Sequence, residues 1–151
     1  MKRFMLNLIL VMMITSSLLY AQDSPVPKTA KALVAEAKKN IENLTPQQVQ
    51  DELTSGNVVL IDVRESEELK QGGHIEGSVH APRGMIEFYA DPEMPYYKPE
   101  FDKSKRIILF CNSGNRSALA VATLKEMGFS NVAHLDGGLK AWKESGKPVI
   151  E

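Results

Sequence analysis

The sequence predicts a single α/β domain in which a mainly parallel central sheet is flanked by helices. Continuous apolar runs at residues 58–61 and 107–110 are typical of strands that are buried on both faces, as in parallel sheets. Segments with helical spacing separate the runs, and strands that alternate with helices favour parallel order. A chain of 151 residues is most simply one domain.

The first 21 residues are typical of an export signal in a bacterial protein. Two basic residues precede an apolar segment at residues 8–14, and a site suited to cleavage follows at Ala21. We therefore predict a signal peptide at residues 1–21 and a periplasmic or secreted mature protein without stable membrane association. The alternative is an uncleaved membrane anchor, because residues 4–21 approach a spanning length.

Residues 22–44 are predicted to form a polar linker followed by an amphipathic helix. The helix is assigned to residues 28–43 because apolar residues recur there at helical spacing between lysines. These apolar residues are Leu33, Ala37, Ile41 and Leu44. Packing against the domain, docking of a partner and dimerisation are all compatible with such a helix.

The predicted domain extends over residues 45–151. Thr45 and Pro46 are typical of a helix start, and this helix is expected to end at Gly56. The elements that follow are, in chain order, a strand at 58–61, a short acidic helix at 65–71, a strand at 78–81, a helix at 83–90, a strand at 107–110, a helix at 117–127, a strand at 132–135 and a last helix after the turn at 136–138. Ligands of such sheets bind beyond the carboxyl ends of the strands, where Asp62 and Cys111 both stand.

Cys111 is the only cysteine of the chain. It cannot form a disulfide within the chain, and it cannot serve as half of a dithiol oxidoreductase. The alternative is a buried strand cysteine that packs as a small apolar residue. A polar loop and Arg116 follow Cys111 directly, and this context favours a reactive cysteine that carries sulfur.

The loop at residues 111–116 is predicted to hold an anion. Gly114 allows backbone conformations that are closed to other residues, so that successive N–H groups can point inward. Arg116 adds a fixed positive charge, and Ser117 is expected to cap the following helix. Each of these groups favours thiolate over thiol, and the thiolate is the reactive form. The predicted substrate-binding residues are Asn112, Ser113, Gly114, Asn115, Arg116 and Ser117.

Four motifs, in this order, resemble those of the rhodanese-like sulfurtransferases. They are Leu60-Ile-Asp-Val-Arg-Glu65, Gly73-His-Ile-Glu-Gly-Ser78, Cys111-Asn-Ser-Gly-Asn-Arg116 and Leu135-Asp-Gly-Gly-Leu-Lys-Ala-Trp142. The resemblance implies that Cys111 is the catalytic residue and takes a sulfane sulfur from a small donor anion such as thiosulfate. The enzyme would hold the sulfur as a persulfide and pass it to a thiophilic acceptor such as cyanide or a thiol. Such covalent catalysis needs no cofactor.

Two alternatives remain beside sulfur transfer. A rhodanese module can bind a partner or carry sulfur without catalysis, although the presence of Cys111 and Arg116 argues against a catalytically inactive module. Related phosphatases and arsenate reductases of this fold have a loop that is one residue longer. The four residues between Cys111 and Arg116 suit a sulfur atom on the cysteine and leave less room for a tetrahedral oxyanion. Asn112 replaces the charged or longer residue that thiosulfate-using members often have, which leaves the donor open.

Asp62 and Arg64 match the family's Asp-x-Arg at the end of the first core strand. We expect the Asp62 carboxylate to accept hydrogen bonds from the active loop, and Arg64 to form a structural ion pair with an acidic neighbour. His80 and His134 lack the spacing of metal ligands, so no metal site is predicted. A formal net charge of −1 argues against a nucleic-acid partner, which would require a basic stripe.

Residues 83–99 are rich in large apolar and aromatic side chains and form a longer segment than a compact member of the family needs. One interpretation is a hydrophobic flap that packs on the sheet. The other is a lid over Cys111 that selects the sulfur acceptor, since long ordered loops often carry function.

Overall fold

A computed structural model describes residues 28–151 of the chain. The predicted signal peptide at residues 1–21 and the predicted linker before residue 28 lie outside the described residues. Over residues 28–151, none of the helices combines the length and apolar character that a membrane span requires.

A five-stranded sheet forms the centre of the molecule, and all of its strand pairs are parallel. Its strands are β1 (Glu42–Leu44), β2 (Val58–Asp62), β3 (Val79–His80), β4 (Arg106–Phe110) and β5 (Val132–Leu135). Their order across the sheet is β1-β5-β4-β2-β3. The predicted α/β class is therefore confirmed, and the sheet is parallel throughout rather than mainly parallel.

Helices cover both faces of the sheet. The described α-helices are α1 (Ala30–Asn40), α2 (Pro46–Ser55), α3 (Ser66–Gly72), α4 (Ile86–Ala90), α5 (Asn115–Glu126) and α6 (Gly138–Glu144), with 3₁₀ turns at Arg83–Met85 and Pro99–Phe101. Ile107 and Leu109 of β4 pack with residues of α4 and α5. Ile108 and Phe110 of the same strand pack with residues of α2 and α6. Because both faces of β4 are buried, its sequence is continuously apolar.

The N-terminal helix is shorter than predicted, and the sequence analysis missed the strand that follows it. Helix α1 ends at Asn40, and β1 pairs with β5 at the edge of the sheet. Ile41 and Leu44 are buried but lie outside the helix. The side-chain amide of Asn43 donates hydrogen bonds to the carbonyls of Lys38 and Ile41, at 2.8 and 3.0 Å, and so fixes the turn. Helical spacing of apolar residues happens to continue across this turn, so periodicity could not locate it.

The segment at residues 83–99 packs at least partly on the sheet. Ile86 and Ala90 are buried, and Tyr89 lies against the same apolar layer. Phe88 and Tyr96 remain 43% and 57% exposed. Packing as a flap is thus confirmed for α4, whereas the role of a lid over the active loop stays a prediction.

Candidate active site

Cys111 directly follows β4 at the carboxyl edge of the sheet. Its side chain is only 1% exposed and joins the apolar layer of α4 and α5. The backbone carbonyl of Cys111 accepts a hydrogen bond from the amide of Leu139 at 2.8 Å, and that of Asn112 accepts one from Lys140 at 3.0 Å. The start of α6 therefore holds the first two residues of the loop in place.

The sulfur of Cys111 has polar neighbours despite its burial. The amide of Gly114 donates to Sγ at 3.2 Å, and the hydroxyl of Ser117 lies 3.8 Å from it. Gly114 adopts a φ of +83°, as the sequence predicted, and a Cβ there would lie 3.0 Å from the amide nitrogen of Gly137. A glycine is thus needed both for the conformation and for the close approach of the two loops. A cysteine that served only as a small apolar residue would not need the Gly114 donor.

Ser117 does not cap α5, contrary to the sequence prediction. The helix begins two residues earlier, at Asn115, and its N-cap is Gly114. Ser117 lies in the first turn, where it is fully buried. Its hydroxyl contacts the carbonyl oxygen of Gly114 at 3.2 Å and Nδ1 of His134 at 3.3 Å. Three other predicted loop residues, Asn112, Ser113 and Asn115, are exposed.

Arg116 is paired with a residue that the sequence analysis did not single out. Its two terminal nitrogens contact the carboxylate oxygens of Glu68 in α3 at 2.6 and 2.7 Å. The hydrogen bond to Arg116 is the main reason why the pKa of Glu68 falls to about 2. The same pair, with a smaller contribution from Cys111, raises the pKa of Arg116 above its ordinary value. The guanidinium that was expected to face an anionic substrate therefore already holds a carboxylate.

Asp62 pairs with Arg64 and not with the active loop, so the expectation for Asp62 is wrong. The Asp62 carboxylate accepts hydrogen bonds from the backbone amide of Arg64 at 3.0 Å and from its guanidinium at 2.6 to 3.0 Å. The structural ion pair expected for Arg64 is confirmed. The same guanidinium donates to the carbonyls of Glu68 at 3.3 Å and Gly73 at 2.7 Å. The pair thus fixes the middle and the end of α3, which carries the partner of Arg116.

His134 links the loop to β1 and is the second residue that the sequence analysis missed in this role. It is fully buried, and its Nε2 lies 2.8 Å from Oδ1 of Asn43. Because the amide group of Asn43 donates to two carbonyls, its oxygen accepts from Nε2–H, and Nδ1 is left to accept from Ser117. Burial, followed by the charge of Lys38, lowers the pKa of His134 to about 4. His134 is therefore neutral at physiological pH and orients the Ser117 hydroxyl beside Sγ.

Groups of acidic, histidine and cysteine side chains suited to a metal ion do not occur among residues 28–151. Two of the histidines, His80 and His134, contact protein atoms. Nε2 of His80 lies 2.8 Å from the carbonyl oxygen of Arg64, and His134 has the two partners described above. These contacts give both histidines a structural role at the carboxyl edge of the sheet.

Comparison with known families supports the resemblance seen in the motifs. The sequence-family model of the rhodanese-like domain matches residues 45–145 of this chain. A chloroplast thiosulfate sulfurtransferase of Arabidopsis thaliana is 33% identical over 133 residues, which cover 85% of this chain and 98% of that protein. The chain spans about half or less of the length of the first curated relatives that it matches.

Two solved structures show the same fold. A Rhodopseudomonas palustris protein of unknown function, described as a possible tyrosine phosphatase, has a TM-score of 0.78 at 39% identity, covering 85% of this chain and 99% of its own. The polysulfide-sulfur transferase homodimer of Wolinella succinogenes has a TM-score of 0.64 at 33% identity, covering 80% of this chain and 85% of its own. The same fold is thus found in a possible tyrosine phosphatase and in a polysulfide-sulfur transferase. The fold alone does not distinguish these two descriptions, so the active loop has to be compared.

Proposed function

The chain belongs to the rhodanese-like domain family, and from this membership we propose that it is a sulfurtransferase that carries sulfane sulfur as a persulfide on Cys111. The observation that best supports this chemistry is the hydrogen bond from the Gly114 amide to Sγ at 3.2 Å, at the N-terminus of α5. Backbone N–H groups and a helix N-terminus stabilise negative charge. Both a thiolate and a persulfide anion at Cys111 would benefit from this environment.

The proposed reaction proceeds in two displacements. In the first, the Cys111 thiolate attacks the outer sulfur of thiosulfate, the S–S bond of thiosulfate breaks, and sulfite leaves with the bonding electron pair. In the second, cyanide attacks the outer sulfur of the persulfide, the Cys–S–S bond breaks, and thiocyanate leaves while the thiolate is restored. A thiol acceptor follows the same course after it loses its proton. Neither step needs an external oxidant or a cofactor.

The burial of Cys111 is compatible with this cycle. A persulfide places its outer sulfur about 2 Å beyond Sγ, and only this outer atom has to meet the acceptor. The loop residues Asn112, Ser113 and Asn115 are exposed and form its solvent-facing rim. We propose that small donors and acceptors approach Sγ across this rim, in the periplasm or outside the cell, after removal of residues 1–21.

A phosphatase is the second candidate function, since the Rhodopseudomonas palustris protein is described as a possible one. The four residues between Cys111 and Arg116 argue against it, because they form a shorter loop than phosphatases of this fold have. In addition, Arg116 is paired with Glu68, and a phosphate group would have to displace this carboxylate. A non-catalytic module that binds a partner or only carries sulfur is the third candidate.

Intact-mass measurement of the purified protein tests the proposal directly. We expect the wild type to gain one sulfur atom after exposure to thiosulfate and to lose it to cyanide, with release of thiocyanate. Cys111→Ser should gain no sulfur. Sulfur gain without turnover would favour a carrier, hydrolysis of an aryl phosphate would favour the phosphatase, and activity retained by Cys111→Ser would exclude the proposed mechanism.

A further inference from the structure

Arg116, the cation of the active loop, forms an ion pair with Glu68 of the same chain. Nη1 and Nη2 of Arg116 lie 2.6 and 2.7 Å from the two carboxylate oxygens of Glu68. This two-point geometry is the one in which a guanidinium binds carboxylates and other oxyanions. We propose that Glu68 competes with the sulfur donor for Arg116 and thereby selects against dianionic donors such as thiosulfate. This inference rests on the proposed function, because it assigns a donor preference to the same site.

Glu68 is held in place by contacts other than Arg116. Its Oε2 also accepts a hydrogen bond from the amide of Glu65 at 3.1 Å, which closes the capping box of α3. Its carbonyl oxygen receives Nη1 of Arg64 at 3.3 Å, and Arg64 is itself fixed by the buried pair with Asp62. The carboxylate therefore has a second partner within α3, and the backbone of Glu68 is held by Arg64.

The competition persists at neutral and mildly acidic pH. The pKa of Glu68 is about 2, so its carboxylate stays ionised at neutral and mildly acidic pH. A dianion that approaches Arg116 must break the two hydrogen bonds to Glu68 or bind beside a like charge. The repulsion between the donor and the Glu68 carboxylate grows with the charge of the donor. A singly charged persulfide incurs less repulsion and can use the amide of Gly114 instead, which makes it the preferred class of donor.

Binding of sulfate and thiocyanate separates this inference from the chemistry of sulfur transfer. Both anions are unreactive, and the measurement is made in the Cys111→Ser background. We expect Glu68→Gln to tighten sulfate binding about fivefold, as for removal of a partly exposed ion-pair partner, and to tighten thiocyanate binding less. Glutamine is accepted at this position of a capping box, so α3 should keep its structure.

Glu67→Gln is the matched control. Glu67 lies on the same helix, its carboxylate is exposed and pairs with Lys70 at 2.7 Å, and the substitution changes the net charge equally. We expect it to leave both anion affinities unchanged. With active protein, Glu68→Gln should lower the KM for thiosulfate while kcat stays within about twofold.

Several results would overturn the inference. They are an unchanged or weaker affinity for sulfate in Glu68→Gln, an equal gain in Glu67→Gln, and no binding of either anion by any variant. Failure of the proposed function looks different. In that case sulfate binding would tighten in Glu68→Gln, but the wild type would gain no sulfur from any donor.

Discussion

The guanidinium of Arg64 and the carboxylate of Asp62 form a buried ion pair, with Nη2 and Oδ2 2.6 Å apart and both side chains at most 2% exposed. The remaining donors of Arg64 reach the carbonyl oxygens of Glu68 and Gly73. This pair joins the end of β2 to α3, and Glu68 of α3 then pairs with Arg116 beside the active loop. Asp62 and Arg64 are accordingly positioning residues, which act on the loop through α3.

Removal of Asp62 should strongly destabilise the fold. Asp62→Ala leaves the Arg64 guanidinium buried without its counter-charge, a situation that typically costs about 3–5 kcal/mol. We expect a loss of this size in the free energy of unfolding, measured by urea denaturation. Lys70→Ala is the control, since it breaks an exposed pair and should change the free energy by less than about 0.5 kcal/mol. A loss below about 1 kcal/mol in Asp62→Ala would show that water compensates Arg64.

Gly138 should be essential because its backbone touches the active loop. A Cβ on Gly138 would overlap the carbonyl oxygen of Cys111 and would lie 2.8 Å from the carbonyl carbon and oxygen of Asn112, and its φ is +62°. Gly138→Ala must therefore displace the loop, and we expect about a hundredfold loss of sulfurtransferase turnover. Gly77 is the matched control, since its φ is +74° but a Cβ there would meet nothing within 4 Å. Gly77→Ala should cost about 1 kcal/mol of stability and little activity, and equal losses in both variants would contradict the prediction.

The sequence was sufficient to predict four of the five strands and the position of the loop. The apolar run that ends at Phe110 can be buried only between two layers. A cysteine directly after the run and a glycine three residues later mark a functional turn. These features are local in the chain. For the same reason the helix start at Thr45 and its end at Gly56 were predicted correctly.

The partners of the loop residues could not be predicted because they depend on the order of the strands. Glu68 and Arg116 are 48 residues apart in the chain, and they meet because β2 lies beside β4 in the sheet. His134 meets Ser117 because β5 lies on the other side of β4. A rule that seeks histidines within the strands adjacent to the cysteine's strand, and acidic residues in the helices that follow those strands, would have included both.

Burial of His134 should make the stability of the protein depend on pH. Its pKa is lowered from 6.5 to about 4, mainly by burial, so the unfolded chain binds the proton first as the pH falls. Stability is therefore full above about pH 6.5 and is lost between about pH 6.5 and 4, by about 2 kcal/mol at about pH 5. Urea denaturation at several pH values measures how the free energy of unfolding changes with pH. His134→Gln should remove the loss of stability between about pH 6.5 and 4. If the free energy of unfolding falls equally with pH in the wild type and in His134→Gln, His134 is not the source of the pH dependence.

The low pKa of Glu68 should depend on Arg116 more than on the rest of the site. Arg116→Gln removes the largest cause of the shift, and we expect the carboxylate to titrate closer to its ordinary value of 4.5 than to about 2. Carbon-13 NMR of the Glu68 carboxyl group measures both values, and Lys70→Gln is the control, because Lys70 pairs with Glu67.

The same pair also makes a small contribution to stability in acid. Since the pKa of Glu68 is depressed in the folded protein, the contribution is present above about pH 4.5 and is lost as the pH falls towards 2. The side chains of Arg116 and Glu68 are 36% and 35% exposed, and solvent screening limits the contribution to about 1 kcal/mol. If Glu68 still titrates near 2 in Arg116→Gln, the Glu65 amide and Arg64 hold the carboxylate ionised by themselves. Arg116 would then be free to leave Glu68 at little cost, and the donor could bind it without competition.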